Sequence, residues 1–192
     1  SSEVGIQGFL DFLRDEEVRY VVLKSFENLP ELYRPHGDLD ILVADEDFDK
    51  VWKFLGANPG PIKIDLVPVT SEWWPPPVAA RILQTSVVGP AGSRVPAPKD
   101  AFLANAYNAV YIKGFASGIP SRMPGAVINE NPKNDYGTII SNMAKDLDID
   151  IPLELESLEE YLHEEGWRPP AGCFANLANR NEWLRRRFWT EG

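Results

Sequence analysis

Two short apolar runs, each interrupted by aspartate, restrict this chain more than any other feature. In "DLDILV" (38–43) a pair of carboxylates leads straight into Ile41, Leu42 and Val43. Strand alternation sets Asp38 and Asp40 on one face, with Leu39 and Ile41 on the other. In "IKIDLV" (62–67) Asp65 interrupts a second apolar strand. Between the two runs, "DEDFDKVWKFLG" (45–56) carries Phe48, Val51, Trp52 and Leu55 at helical spacing. Its acids fall in the first turn and Gly56 follows the last periodic residue, which is the chemistry of a helix start and stop. A linking helix of this length lets the two strands lie side by side, with Asp65 on the face of the other two acids. Carboxylates gathered in this way repel one another, and burial raises the pKa of at least one of them. A hard divalent cation such as Mg²⁺, which prefers oxygen ligands, relieves the conflict.

The surrounding pattern extends the core. "VGIQGFLDFLRD" (4–15) spaces Ile6, Phe9, Leu10 and Leu13 as one face of a helix, and "RYVVLK" (19–24) is β-branched and aromatic, as a buried strand requires. The order helix, strand, strand, helix, strand predicts an α/β (α+β) fold, a small mixed sheet with helices packed on it. From about residue 70 the character changes. "SEWWPPPVAARIL" (71–83) reads as an irregular connector, and 98–114 as a helix with Phe102, Leu103, Ala106 and Val110 on one side. Residues 115–137, rich in Gly, Pro and Asn, read as a long functional loop or an insertion. Two further helical stretches follow, 153–166 and 173–189. The expected organisation is an α/β core over 1–70 and a mostly helical substrate or lid region over 71–192, sharing one folding unit.

Composition narrows the function classes. Nineteen Lys+Arg against 29 Asp+Glu give a formal charge of −10, which disfavours non-specific binding to nucleic acid or an anionic membrane. A single cysteine, Cys173, rules out an intramolecular disulfide. No signal-peptide pattern and no apolar run of membrane-spanning length is present, so a cytoplasmic location is the expectation. His36 and His163 lack the partners of a zinc site, and no Gly-rich phosphate loop or nucleophile elbow occurs. The arginines of "WLRRRFW" (183–189) are expected to lie on a solvated helix face or to pair with the acids of 154–165 rather than contact nucleic acid. Trp73 and Trp74 read as packing beside the prolines or as the lining of an acceptor pocket.

Leu23-Lys24-Ser25, twelve intervening residues, Asp38-Leu39-Asp40-Ile41 and then Asp65 together resemble the DNA polymerase beta-like nucleotidyltransferase superfamily, and most closely a minimal bacterial-type branch of it. The resemblance covers residues 19–69. It departs at Lys24, where the family carries a glycine that lets backbone approach phosphate. The resemblance implies that Asp38, Asp40 and Asp65 are catalytic and hold two Mg²⁺ (or Mn²⁺) ions, with Asp65 helping to deprotonate the acceptor. It implies that Ser25 donates to a β- or γ-phosphate, and Lys24 is read as neutralising phosphate charge in the glycine's place. A helix after the core would close over the nucleotide, placing Tyr107 against the base and Lys113 near it. The implied partners are a nucleoside triphosphate and a small acceptor such as a sugar or polyol phosphate. Alternatives are a toxin-type enzyme that modifies protein hydroxyls, an RNA-end nucleotidyltransferase, and an inactive nucleotide-binding module. The bland reading of the acids is a turn-to-strand cap at Asp38 and Asp40 with an edge-strand acid at Asp65.

Overall fold

The central strand of the three-stranded sheet is the one that begins with the aspartate pair. A computed structural model describes residues 4–31, 38–71 and 74–189. Its first compact unit is Ser1–Ala97. There β1 (Tyr20–Val22), β2 (Asp38–Val43) and β3 (Lys63–Pro68) form a sheet in the order β1-β2-β3. β1 runs antiparallel to β2, while β3 runs parallel to it, with α2 (Asp45–Ala57) as the crossover a parallel pair needs. Helix α1 (Ile6–Asp15) buries Ile6, Phe9, Leu10 and Leu13, the four residues its periodicity predicts. They join Tyr20, Val22, Leu39, Ile41, Val43 and Val51 in one apolar cluster, with Phe54, Leu55, Ile64 and Leu66 packed around it. One sheet face is therefore apolar throughout. Because the side-chain period is two, a slip of one residue would turn the aspartates into that cluster, so the cluster fixes the register.

Three expectations for this unit need correction. The buried face of α2 is centred on Val51, flanked by Phe54 and Leu55, while Trp52 is 64% exposed and stacks on Phe48. Phe54 is drawn inward by Phe12, whose ring lies 3.8 Å away. The stretch after residue 70 is not an irregular connector, because Pro76–Thr85 form α3, which buries Val78, Ala79 and Ile82 and packs on β1 and β2. Proline suits the first turn of a helix, where its missing N–H has no partner to lose. The unit then ends with a short antiparallel pair, β4 (Val87–Val88) and β5 (Arg94–Val95), whose Arg94 N–H donates to the Tyr20 hydroxyl. The boundary consequently falls between Ala97 and Pro98, beyond the expected 70.

The second unit, Pro98–Gly192, is helical. α4 (Pro98–Tyr107) runs into a π-helical turn over Asn108–Lys113 and a 3₁₀ turn over Gly114–Ser117. The π turn leaves carbonyls without the usual helical donors. Asn181 supplies them, donating through Nδ2 to the carbonyls of Val110 and Tyr111, while its Oδ1 accepts from the Leu184 N–H. Gly114 (φ +52°) lies so close that a Cβ there would sit 2.1 Å from Asn181 Oδ1. α5 (Tyr136–Asp146), which the sequence reading passed over, starts at Asp135, whose side chain accepts from the Thr138 N–H. α6 (Leu155–Glu164) lies inside the expected 153–166, whereas the expected helix over 173–189 is two, α7 (Ala171–Ala178) and α8 (Glu182–Phe188). The Asn181 cap divides them. Of the three arginines Arg187 pairs with Glu160, an acid of 154–165, while Arg186 pairs with Glu182 on its own helix; Trp183 and Leu184 are buried. No described helix is long and apolar enough to cross a membrane. With eight α-helices, a mixed three-stranded sheet and a two-stranded one among the described residues, the fold is α+β.

Residues 118–135 have neither helix nor strand but are tied down. The buried Glu156 carboxylate accepts from the Ser121 hydroxyl at 2.5 Å, the Arg122 N–H at 3.1 Å and the Trp183 indole at 3.1 Å. Burial alone would raise this carboxyl's pKa, but the three donors outweigh it and hold it below the ordinary carboxylate range. A depressed folded-state pKa means that the unfolded chain binds the proton more readily. The contribution of Glu156 is thus present above the ordinary carboxylate pKa and is lost as pH falls through the lower, folded-state value. Glu156→Gln should destabilise the protein by about 1–3 kcal/mol at neutral pH. It should also flatten the acid limb of stability against pH, measured by denaturant unfolding from neutral pH downward.

Candidate metal centre

Register builds the site. Parallel pairing sets Asp40 directly beside Asp65 and Asp38 beside Lys63, all on the sheet face opposite the apolar cluster. Asp38, Asp40 and Asp65 each offer a carboxylate oxygen within 4.8 Å of the others, close enough to hold a metal ion. Their side chains are 34%, 23% and 40% exposed, so the site is partly open to solvent. Three anionic oxygen donors, with no nitrogen or sulfur ligand among them, suit a hard divalent cation.

Two lysines answer the repulsion. Lys24 Nζ lies 2.7 Å from Asp40 Oδ2 and 3.7 Å from Asp38 Oδ1. Lys63 Nζ donates to Asp65 Oδ2 at 2.7 Å. Burial pushes the Asp40 carboxyl up from its ordinary value; the Lys24 ammonium opposes that push, and the charges of Asp38 and Asp65 add to it. The sequence reading missed Lys63. Its signal was present, because in "KID" the lysine precedes Asp65 by two residues and so shares its face.

The corner that delivers Lys24 is unusual. The Leu23 N–H donates to the Asp40 carbonyl, extending the β1–β2 pairing by one residue. Continued strand geometry would place Lys24 opposite Leu39, facing the apolar cluster. Instead the chain bends, and Ser25 takes a left-handed conformation (φ +60°) that few non-glycine residues adopt. The bend turns the lysine back onto the aspartate face. Ser25 is the residue at this bend, next in sequence to Lys24. Tyr107 and Lys113 belong to the second unit. Tyr107 is 1% exposed, packed against Tyr111 and Trp167, so its ring has no face to offer a base and the expected stacking role is withdrawn. Lys113 is exposed at the end of the π turn. Trp74 is buried and His163 is exposed, whereas His36 and Trp73 lie outside the described residues.

Comparison with protein families, curated proteins and solved structures finds no match to this chain. The site thus stands on its own geometry.

The left-handed corner has a measurable consequence. Ser25→Gly should raise stability by up to about 1 kcal/mol, because glycine carries no Cβ penalty at positive φ. Ser25→Val should lower it by about 1–3 kcal/mol, since a β-branched residue tolerates that backbone poorly. Equilibrium unfolding of the two variants measures both.

Proposed function

We propose that the chain is a Mg²⁺- or Mn²⁺-dependent nucleotidyltransferase that moves a nucleoside monophosphate from a nucleoside triphosphate to a hydroxyl or phosphate acceptor. One observation carries the reading: Asp40 and Asp65 are paired in register on adjacent parallel strands with Asp38 on the same face. The Leu23-Lys24-Ser25 corner borders them. A cap on a turn would need one such acid, and a lone edge acid would need no partners.

In the proposed reaction with a hydroxyl acceptor, the hydroxyl oxygen forms a bond to the α-phosphorus. The bond from that phosphorus to the α–β bridging oxygen breaks, and pyrophosphate leaves with the electron pair. Asp65, the most exposed of the three acids, takes the hydroxyl proton. Asp38 and Asp40 would hold the divalent ions, with Asp65 completing one position. When bound, such ions neutralise phosphate oxygens and lower the pKa of an attacking hydroxyl. Ser25 donates its hydroxyl to a β- or γ-phosphate oxygen, and Lys24 supplies an ammonium to the same group.

The acceptor is proposed to be small, such as a sugar or polyol phosphate. The 40% exposure of Asp65 also admits a hydroxyl on a protein surface, which makes a protein-modifying enzyme the second reading. Wild-type protein should be stabilised by at least one of the four nucleoside triphosphates with Mg²⁺ or Mn²⁺, by about 2.7 kcal/mol at a hundredfold excess over Kd. Asp40→Ala should lose that stabilisation while still unfolding cooperatively. Pyrophosphate release with polyol phosphates, set against labelling of added proteins, separates the acceptors. Absence of a thermal shift with every nucleotide would overturn the assignment.

A further inference from the structure

The Lys24 ammonium stands where a cation shared by Asp38 and Asp40 would stand. At 2.7 Å from one carboxylate it makes a charge-assisted hydrogen bond, and at 3.7 Å it is within ion-pairing reach of the other. The two carboxylates it engages are among the three that would hold a metal. With three carboxylates and two ammoniums, the cluster carries one net negative charge. A free divalent ion therefore meets little net attraction and a ligand set already in use.

The two lysines are not equivalent. The Lys24 side chain is 34% exposed and reaches the two more buried acids, whereas the Lys63 side chain is 69% exposed and bonds the most exposed one. An exposed ion pair exchanges readily with water and adds little, while a partly buried one is screened less. Lys63 can swing aside at small cost. Moving Lys24 breaks a pair that is more buried and less screened, so it costs more, and another anion to receive the ammonium lowers that cost.

Resting on the nucleotidyltransferase reading, we propose that Lys24 is an internal cation that holds the metal centre closed until a polyphosphate arrives. The metal alone competes with the ammonium for Asp38 and Asp40. A metal escorted by a triphosphate brings its own acceptor for that ammonium, so Lys24 passes from carboxylate to phosphate oxygen as the ion takes its place. The site then discriminates against free metal and against ligands lacking phosphate, and metal and nucleotide enter together. No covalent bond changes in this exchange.

The test is the affinity of the full chain for Mn²⁺ alone, followed by the spin-relaxation of water, in wild type, Lys24→Met and Lys63→Met. Both variants remove one positive charge and keep an apolar stem, and Lys24→Gln serves as a second variant should Lys24→Met fold poorly. Lys24→Met is expected to bind Mn²⁺ about tenfold or more tightly than wild type, and Lys63→Met only a few-fold more tightly. Added nucleoside triphosphate should tighten Mn²⁺ binding strongly in wild type and much less in Lys24→Met. Equal gains in the two variants would reduce the effect to net charge and overturn the proposal. So would unchanged affinity, or no Mn²⁺ binding, in folded Lys24→Met. The nucleotide reading fails separately, if Lys24→Met gains Mn²⁺ affinity while neither protein responds to nucleotide.

Discussion

Repulsion among Asp38, Asp40 and Asp65 is the constraint that orders the first unit. Three carboxylate oxygens within 4.8 Å of one another would move apart if the backbone allowed it. It does not, because each aspartate sits on a strand whose opposite face is locked into the apolar cluster of α1, α2 and the sheet. Hydrophobic burial on one face thus holds an electrostatic load on the other. The parallel pairing of β2 with β3 sets the spacing, and α2 makes that pairing possible. The partial neutralisation by Lys24 and Lys63 is what the chain itself contributes to relieving the load.

The second unit treats carboxylates differently, and the contrast separates structural acids from candidate functional ones. Glu159 is 1% exposed and satisfied on both oxygens by Arg168, with the Tyr111 hydroxyl donating as well. Glu156 is likewise surrounded by donors. Acids held in this way are joints within the fold. The three aspartates of the sheet share two lysines and lie within 4.8 Å of one another on a partly open face.

Much of the sheet unit was legible in sequence because its periods are simple. Alternation in "DLDILV" and "KIDLV" specifies which residues share a face, and the helical spacing of Ile6, Phe9, Leu10 and Leu13 specifies what covers the other. What escaped the reading depends on contacts between elements. Trp52 is as apolar as Phe54, but the rings of Phe9 and Phe12 pack on Phe54 while Trp52 stays exposed. The proline run concealed α3 because three prolines signal a break, whereas here they start the helix. The left-handed Ser25 that aims Lys24 has no signature in composition. In the same way, the helical period of 98–114 ran through Tyr107 without revealing that its ring would be enclosed by Tyr111 and Trp167.

Asn181 is the residue whose chemistry joins distant parts of the second unit. Its amide has a donating end and an accepting end, and both are engaged: two carbonyls of the π turn on one side, the first turn of α8 on the other. An aspartate of the same shape would press a carboxylate against those carbonyls, and an alanine would leave them facing nothing. Segments some 70 residues apart in sequence are therefore coupled through one planar group. The π turn and the last helix should then melt as one cooperative element, so that fraying at α8 is transmitted to the middle of the unit instead of stopping at its end.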